Sequence, residues 1–325
     1  MKALVHTKFG VPENLELKDM PLPEPKPGEV RIKIEYCAVN SWDVDIVKGR
    51  PLAFRPLFGW FKPKHPIIGI DVAGIIDTVG AEANDFSIGD RVFGDLSSTG
   101  FGCFAEYVCT EQQYLARVPD SIDMASASSI PHAGLLAWQG LHWKGRVNSG
   151  DKVLINGAGG GVGTISLQLC KHWGAEVTCI DRHDKLPMLN ELGADQSYDY
   201  ERTDYTKLAH RFDLIIDPVA NKKARKYTRI LKPGGRLVII GGKISTMVSL
   251  LLQGKRLNKK FGIQMGLLGY EPNRSDLDHL MNCFLNGSFQ PMIHGVYSFD
   301  KLPQALTELG KGNVNGKIVV KLAND

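Results

Sequence analysis

Residues 151–182 read DKVLINGAGGGVGTISLQLCKHWGAEVTCIDR, and this stretch leaves the chain few ways to fold. Val153-Leu154-Ile155 is a short continuous apolar run, the pattern of a parallel strand covered on both faces. It ends in Asn156-Gly157-Ala158-Gly159-Gly160-Gly161-Val162-Gly163. Helical spacing then takes over from Thr164 to Trp173, with Ile165, Leu167, Leu169 and Cys170 as apolar positions. Gly174 stops that helix, and Glu176 to Ile180 begins a second strand that closes on Asp181. Glycines permit a tight turn and close approach of the backbone to a pyrophosphate. A helix N-terminus adds unpaired N–H groups and the positive end of a dipole. A glycine turn alone is weak evidence, but strand, turn, helix, second strand and acid together predict a dinucleotide site. Ala158, Gly160, Gly161, Val162 and Gly163 are the residues expected against the pyrophosphate.

At 325 residues the chain exceeds what one hydrophobic core usually serves, so two domains are expected. A net charge of +4, scattered along the chain, does not suggest nucleic acid, and the basic run Lys255 to Lys260 reads as a solvated face. No apolar stretch reaches the length of a membrane span, and MKALVHTKFG lacks the apolar core of a signal peptide. The six cysteines, at 37, 103, 109, 170, 179 and 283, lie far apart and read as reduced thiols, so a cytoplasmic location is expected. To about residue 120 the chain is rich in strand-like runs, including the alternating Glu29 to Glu35. From about Met124 strands and helices alternate, which predicts a doubly wound α/β unit. The tail from about residue 270 completes the first domain more plausibly than it adds a third.

Several short stretches follow one another in a telling order: Ala38-Val39-Asn40-Ser41-Trp42-Asp43, PIIGIDVAG at 66–74, IGDRVFG at 88–94 and Phe104-Ala105-Glu106-Tyr107. After the glycine unit come Leu192-Gly193-Ala194-Asp195, LKPGG at 231–235 and Gly316-Lys317-Ile318-Val319. Nearly end to end the chain resembles the medium-chain dehydrogenase/reductase superfamily, in its zinc-free quinone oxidoreductase (zeta-crystallin-like) branch. The resemblance implies an α/β protein. A GroES-like, partly open β-barrel catalytic domain would come from 1–123 and 270–325, a Rossmann NAD(P)-binding domain from 124–269, with nicotinamide and substrate in a cleft between them. Zinc-dependent alcohol dehydrogenases of the superfamily place a cysteine ligand where Asn40 stands, and an amide suits that ion poorly. Their histidine ligand falls at Ile70, which cannot coordinate, and Cys103 and Cys109 are too few for the four-cysteine structural lobe. No metal is expected. His65, His132, His142 and His172 read as ordinary polar or capping residues.

Without a metal, alcohol oxidation lacks a Lewis acid, and the resemblance implies hydride transfer from NAD(P)H to an acceptor that is already electrophilic. Quinones and α,β-unsaturated carbonyls fit. A zinc-free alcohol or aldehyde reductase, and a catalytically weak NAD(P)H-binding redox sensor, are the alternatives. Asn40 is expected to orient nicotinamide or substrate, and Ile240-Gly241-Gly242 to flank the nicotinamide. Relatives often carry a tyrosine where Asp45 stands, so a tyrosine role does not transfer. Asp45 is either a substrate or water contact or a solvated carboxylate. Relatives also commonly have threonine where Leu136 stands. Asp181 suits the ribose hydroxyls of NADH, while Arg182 and Lys185 suit the 2′-phosphate of NADPH, so the choice stays open. The aromatic loop Leu52 to Phe61 either borders the substrate or packs as a surface loop or subunit contact. A homodimer is expected through an edge of the cofactor domain near Arg236 to Ile240, unless Met247 to Leu252 covers the sheet as a helix.

Overall fold

The eleven-residue strand Glu29–Val39 is the spine of the first of two compact units. Val30, Ile32 and Ile34 alternate into the core, while Arg31 on the other face is held by Asp77 and Thr78. A computed structural model describes residues 1–322, apart from the side chains of Phe54 and Leu57, so those two members of the aromatic loop lie outside the described residues. The first unit comprises Met1–Leu135, Glu271–Asn282 and Ile293–Asp325. Its main sheet runs Ile293–Ser298, Lys317–Lys321, Glu29–Val39, Asp71–Val79, Arg91–Asp95 and Leu115–Arg117, and Tyr107–Glu111 also pairs with Glu29–Val39. The C-terminal strand Lys317–Lys321 lies inside this sheet, between Ile293–Ser298 and Glu29–Val39. The division falls at Leu135 rather than near Met124, because the helix Met124–Ser128 packs on Glu29–Val39 and Asp71–Val79.

The second unit, Leu136–Tyr270 with Cys283–Met292, carries a six-stranded parallel sheet. Its order is Gln196–Asp199, Glu176–Asp181, Lys152–Asn156, Phe212–Asp217, Leu231–Ile239 and Gln264–Leu267. This is the doubly wound arrangement, with the glycine-turn strand near the centre. One expectation needs correction, and one of two open readings is the one observed. The strand through Arg236 is not an edge, since Gln264–Leu267 pairs outside it and Leu237, Val238 and Ile239 are buried. Met247 to Leu252 belongs to an eighteen-residue helix, Ile244–Phe261, which buries Thr246, Leu250, Gly254 and Leu257 along one stripe. Its exposed Lys259 and Lys260 sit in the last turn, where cations complement the helix dipole. Among the described residues no helix is long and apolar enough to cross a membrane.

Gly74 shows how tightly the first unit is drawn together. A Cβ there would meet Lys33 O at 2.2 Å, Ile32 Cγ2 at 2.8 Å and Ile34 Cα at 3.0 Å, beside a register shift between Ile34 and Tyr36. Backbone on the neighbouring strand cannot yield as a flexible side chain would. Gly74→Ala is therefore expected to cost about 3 kcal/mol, the upper part of the range for overpacking a core. Urea unfolding against the parent protein checks this, and a cost below about 0.5 kcal/mol would contradict it.

Candidate functional site

The strand Lys152–Asn156 delivers the chain into the glycine turn. Gly157 takes φ +82°, and its N–H donates to Ile180 O at 2.8 Å, stitching the turn to the next strand. A Cβ on Gly163 would lie 2.4 Å from Gly157 O and 2.5 Å from Ala158 Cα, so only glycine lets the helix Gly161–His172 start this close to the turn. Nothing stands closer than 3.6 Å to the Cβ position of Gly160. The first intrahelical bond runs from Thr164 N–H to Gly160 O, at 2.9 Å. The amides of Gly161, Val162 and Gly163 precede it and have no intrahelical acceptor. The sequence-predicted phosphate residues thus form one turn with donors at a helix N-terminus, the arrangement that fits a pyrophosphate.

Asp181 closes the turn from the second strand. Its Oδ2 accepts from Gly159 N–H at 2.7 Å and its Oδ1 from Arg182 N–H at 2.8 Å. Each oxygen keeps a lone pair for a ribose hydroxyl. Arg182 is forked onto Asp184, at 2.8 and 2.6 Å, and that pair raises the guanidinium pKa and holds the Asp184 carboxyl at about 2. Lys185 lies buried with its stem over Gly159, where a Cβ would come 2.6 Å from Lys185 Cδ. Burial lowers its pKa while Asp181 opposes the shift.

Asp217, which sequence reasoning missed, organises the end of the next strand. Its Oδ1 accepts from Asn156 Nδ2 at 2.8 Å, Ala220 N–H at 2.6 Å and Val219 N–H at 3.1 Å, and its Oδ2 from the Tyr227 hydroxyl at 2.7 Å. Burial raises its pKa against these donors. The turn it holds sits against the predicted nicotinamide-flanking residues. A Cβ on Gly242, at φ +110°, would meet Val219 O at 2.3 Å, and one on Gly157 would meet Val219 Cγ2 at 2.6 Å. The signal available in the sequence was an acid ending an otherwise apolar strand, Phe212–Asp217.

In the first unit, Asn40 does not stand alone. Lys317 Nζ donates to Asn40 Oδ1 at 2.5 Å and to Asp71 Oδ2 at 2.7 Å, and Asn40 Nδ2 donates to the same Asp71 oxygen at 3.0 Å. Asn40 precedes the helix Ser41–Lys48, and Asp43 reaches back to its N–H at 2.8 Å. Asp71 Oδ1 accepts from His132 N–H at 2.8 Å, and His132 Nδ1 meets Asp95 Oδ2 at 2.7 Å. Lys317, Asp71, His132, Asp95 and Asp43 are thus one network, which the sequence reading did not assemble. Asp45 lies half-buried on the same helix, its pKa raised by burial. The aromatic loop is pinned by Arg55, which donates to Gly49 O at 2.8 Å and Trp60 O at 3.0 Å, leaving Trp60 and Phe61 exposed.

This donor set does not fit a zinc ion. Asn40 and Asp71 already enclose an ammonium, Ile70 offers no ligand, and Cys37 and Cys103, which face the same network, have thiol pKa values pushed well up by burial. The positive centre here is Lys317.

Comparison with known proteins places both halves. Residues 26–120 match the alcohol dehydrogenase GroES-like domain, and residues 192–320 match the zinc-binding dehydrogenase family. The chain is 30% identical to 2-methylene-furan-3-one reductase of Solanum lycopersicum, over 98% of this chain and 79% of that one. It is 28% identical to the chloroplastic NADPH-dependent alkenal/one oxidoreductase of Arabidopsis thaliana, over 98% and 79%. The solved quinone oxidoreductase of Coxiella burnetii superposes with a TM-score of 0.89 at 27% identity, covering 99% of both chains.

Asp43 gives the network a measurable signature. It is fully buried, its Oδ1 has no hydrogen-bond partner, and burial, with Asp71 adding to it, raises its pKa from 3.8 to about 7. The folded chain therefore holds a proton that the unfolded chain has lost, and stability falls as pH rises from about 4 to about 7. Asp43→Asn keeps an oxygen for Asn40 N–H and removes the titration. It is expected to flatten that fall and to raise stability at about pH 8 by on the order of 2 kcal/mol. Urea unfolding of both proteins at about pH 5 and about pH 8 tests it, and equal pH slopes would contradict it.

Proposed function

Because the chain belongs to the medium-chain dehydrogenase/reductase superfamily, on its quinone oxidoreductase branch, we propose that it moves hydride from NAD(P)H to a quinone or an α,β-unsaturated carbonyl without a metal. The observation that carries this reading is the glycine turn with Asp181 latched to Gly159, a built receptor for a dinucleotide. Ala158, Gly160, Gly161, Val162 and Gly163 would hold the pyrophosphate, Asp181 with Arg182 and Lys185 the adenosine ribose, and Ile240-Gly241-Gly242 the nicotinamide. When bound, the cofactor supplies the hydride.

The acceptor class follows from the charge in the first unit. The buried ammonium of Lys317 is directed at Asp71 and Asn40, which balance its charge within the unit. Substrates that carry their own electrophilicity need only positioning. Asn40, its amide fixed at both ends, would present a rigid dipole to nicotinamide or substrate, and Asp45 would contact substrate or water. The activities for which the relatives are named, enone-type reduction and quinone reduction, support the same class.

A panel of quinones, enones and simple aldehydes with NADH and with NADPH tests the reading. Turnover of quinones or enones at least about tenfold above aldehydes is expected, unchanged after exhaustive chelation. Stoichiometric zinc with chelator-sensitive turnover would overturn it. We further propose a homodimer formed beside the edge strand Gln264–Leu267, where Leu267 and the helix residues Leu251 and Leu252 are exposed. Light scattering should give about twice 35.8 kDa, and a mass near 35.8 kDa would refute the dimer.

A further inference from the structure

The charge of this chain is not evenly spread. Of its 39 lysines and arginines, twelve lie in residues 218–270, a stretch that contains no aspartate or glutamate. The net +4 of the whole chain is therefore +12 in this stretch set against −8 everywhere else. Four of the twelve are held within the second unit. Arg236 is buried and donates to the carbonyls of Trp143, Gly145 and Arg146. Lys232 pairs with Asp213 at 2.6 Å and Lys222 with Asp204 at 3.8 Å, and Lys226 lies within reach of the same Asp204 charge. Lys243 stands apart, at the N-terminal end of the helix Ile244–Phe261.

The other seven fall into two groups. Lys223, Arg225 and Arg229 lie on or beside the short helix Ala224–Tyr227, and Lys255, Arg256, Lys259 and Lys260 on the last two turns of Ile244–Phe261. All seven are exposed, and among the described residues none forms an ion pair. The helices bring the groups together. Ala224 N–H donates to Ser249 Oγ at 3.2 Å, which seats the short helix against the long one. Arg256 follows Ser249 by two turns, so it shares the side that faces the short helix. The buried stripe of Thr246, Leu250, Gly254 and Leu257 turns Lys255 and Lys259 the opposite way, into solvent. Like charges four residues apart, Lys255 with Lys259 and Arg256 with Lys260, oppose helix formation. The fold therefore carries this cluster at a cost.

We propose that this basic face docks the protein on the surface of a bilayer that carries anionic phospholipid. A cluster of about four to eight lysines and arginines is drawn to a negatively charged leaflet, each cation adding its share without fixed geometry. Charge complementarity admits any polyanion, and the chemistry of the face favours lipid. Lysine is depleted in specific protein interfaces, yet four of these seven cations are lysines, suited to headgroups spread over a plane. Val248 and Phe261, 44% and 40% exposed, lie on the same helix as the basic quartet. A headgroup layer takes up such apolar side chains, whereas the phosphates of a nucleic acid leave them against charge. Leu251 and Leu252 stay with the dimer contact proposed above. The docking is at the surface, without insertion, and it does not rest on the hydride-transfer reading.

The test sediments the full-length protein with vesicles of phosphatidylcholine, with and without about 30 mol % phosphatidylglycerol. Binding is expected to the anionic vesicles alone, and it should fall at least about tenfold between about 0.05 and about 0.5 M salt. The combined variant Lys255→Gln, Arg256→Gln, Lys259→Gln and Lys260→Gln should weaken that binding at least about tenfold. Lys2→Gln, Lys26→Gln, Lys33→Gln and Lys301→Gln together remove the same charge from exposed positions of the first unit. That control should bind within about twofold of the parent, because its changes lie off the docking face. No sedimentation with anionic vesicles, or equal sedimentation with neutral ones, would overturn the proposal. So would a helix variant that binds like the parent, and so would equal losses in both variants, which would make net charge responsible. Should the helix variant fail to fold, Lys223→Gln, Arg225→Gln and Arg229→Gln together take its place, and unchanged binding there overturns the proposal equally. A labelled DNA duplex of about 20 base pairs is titrated at the same salt. Binding tighter than to the anionic vesicles would assign the face to nucleic acid instead.

Discussion

The ion pair of Lys317 with Asp71, closed by Asn40, is the contact on which the first unit depends. It joins residues 246 positions apart, with Asn40 a further 31 positions before Asp71. Both charges are almost completely removed from water. Such a pair adds little net stability over a well-packed apolar substitute, but losing one partner strands a buried charge at a cost of about 3–5 kcal/mol. Its value lies in specification. The pair fixes the register of the C-terminal strand beside Glu29–Val39, turns the amide of Asn40, and sets the charge that His132 and Asp95 must balance.

The second unit solves a related problem differently. Asp217 is as buried as Asp71 but forms no ion pair among the described residues, and neutral donors from Asn156, Tyr227 and two backbone amides surround it. A carboxylate satisfied by N–H and O–H groups acts as a fixed post for a turn. Asp71 is instead met by the Lys317 ammonium, and its cross-strand neighbour Asp95 by the His132 imidazole, so both belong to a charged network. The same residue type therefore serves as scaffold in one unit and as part of an acid–base array in the other, and the partners decide which.

What could be read from the sequence divides along contact range. The glycine turn was legible down to individual residues because its strand, turn and helix are contiguous and each glycine answers a local steric demand, as Gly157 and Gly163 show. The strand Phe212–Asp217 was legible for the same reason. The helix Ile244–Phe261 was left between two readings, since a six-residue apolar run at its start fits a strand as well as a helix. The network around Lys317 was invisible because its members are scattered from residue 40 to residue 317. His132 read as an ordinary polar residue, and Lys317 was noticed only as part of a motif. A usable signal was present, however. Asp71 sits inside the apolar run Ile67 to Ile76 and Lys317 opens Lys-Ile-Val-Val, and charges embedded in buried strands require partners.

The discontinuity of the first unit has a consequence for how the chain comes to be folded during synthesis. The strand Lys317–Lys321 lies inside the sheet, between Ile293–Ser298 and Glu29–Val39, yet it leaves the ribosome after every other strand. Until then Asp71 has no ammonium, and the Tyr36–Val39 end of one edge of Glu29–Val39 has no neighbour, while the second unit has already emerged. At translation rates of about 5–20 residues per second, the first unit waits roughly 10–40 seconds in an open, partly charged state while the parallel sheet of the second unit forms. The nascent protein thus has its nucleotide-binding half before its acid–base half. A ligand that stabilises the early half would act as a folding aid before it could act as a substrate.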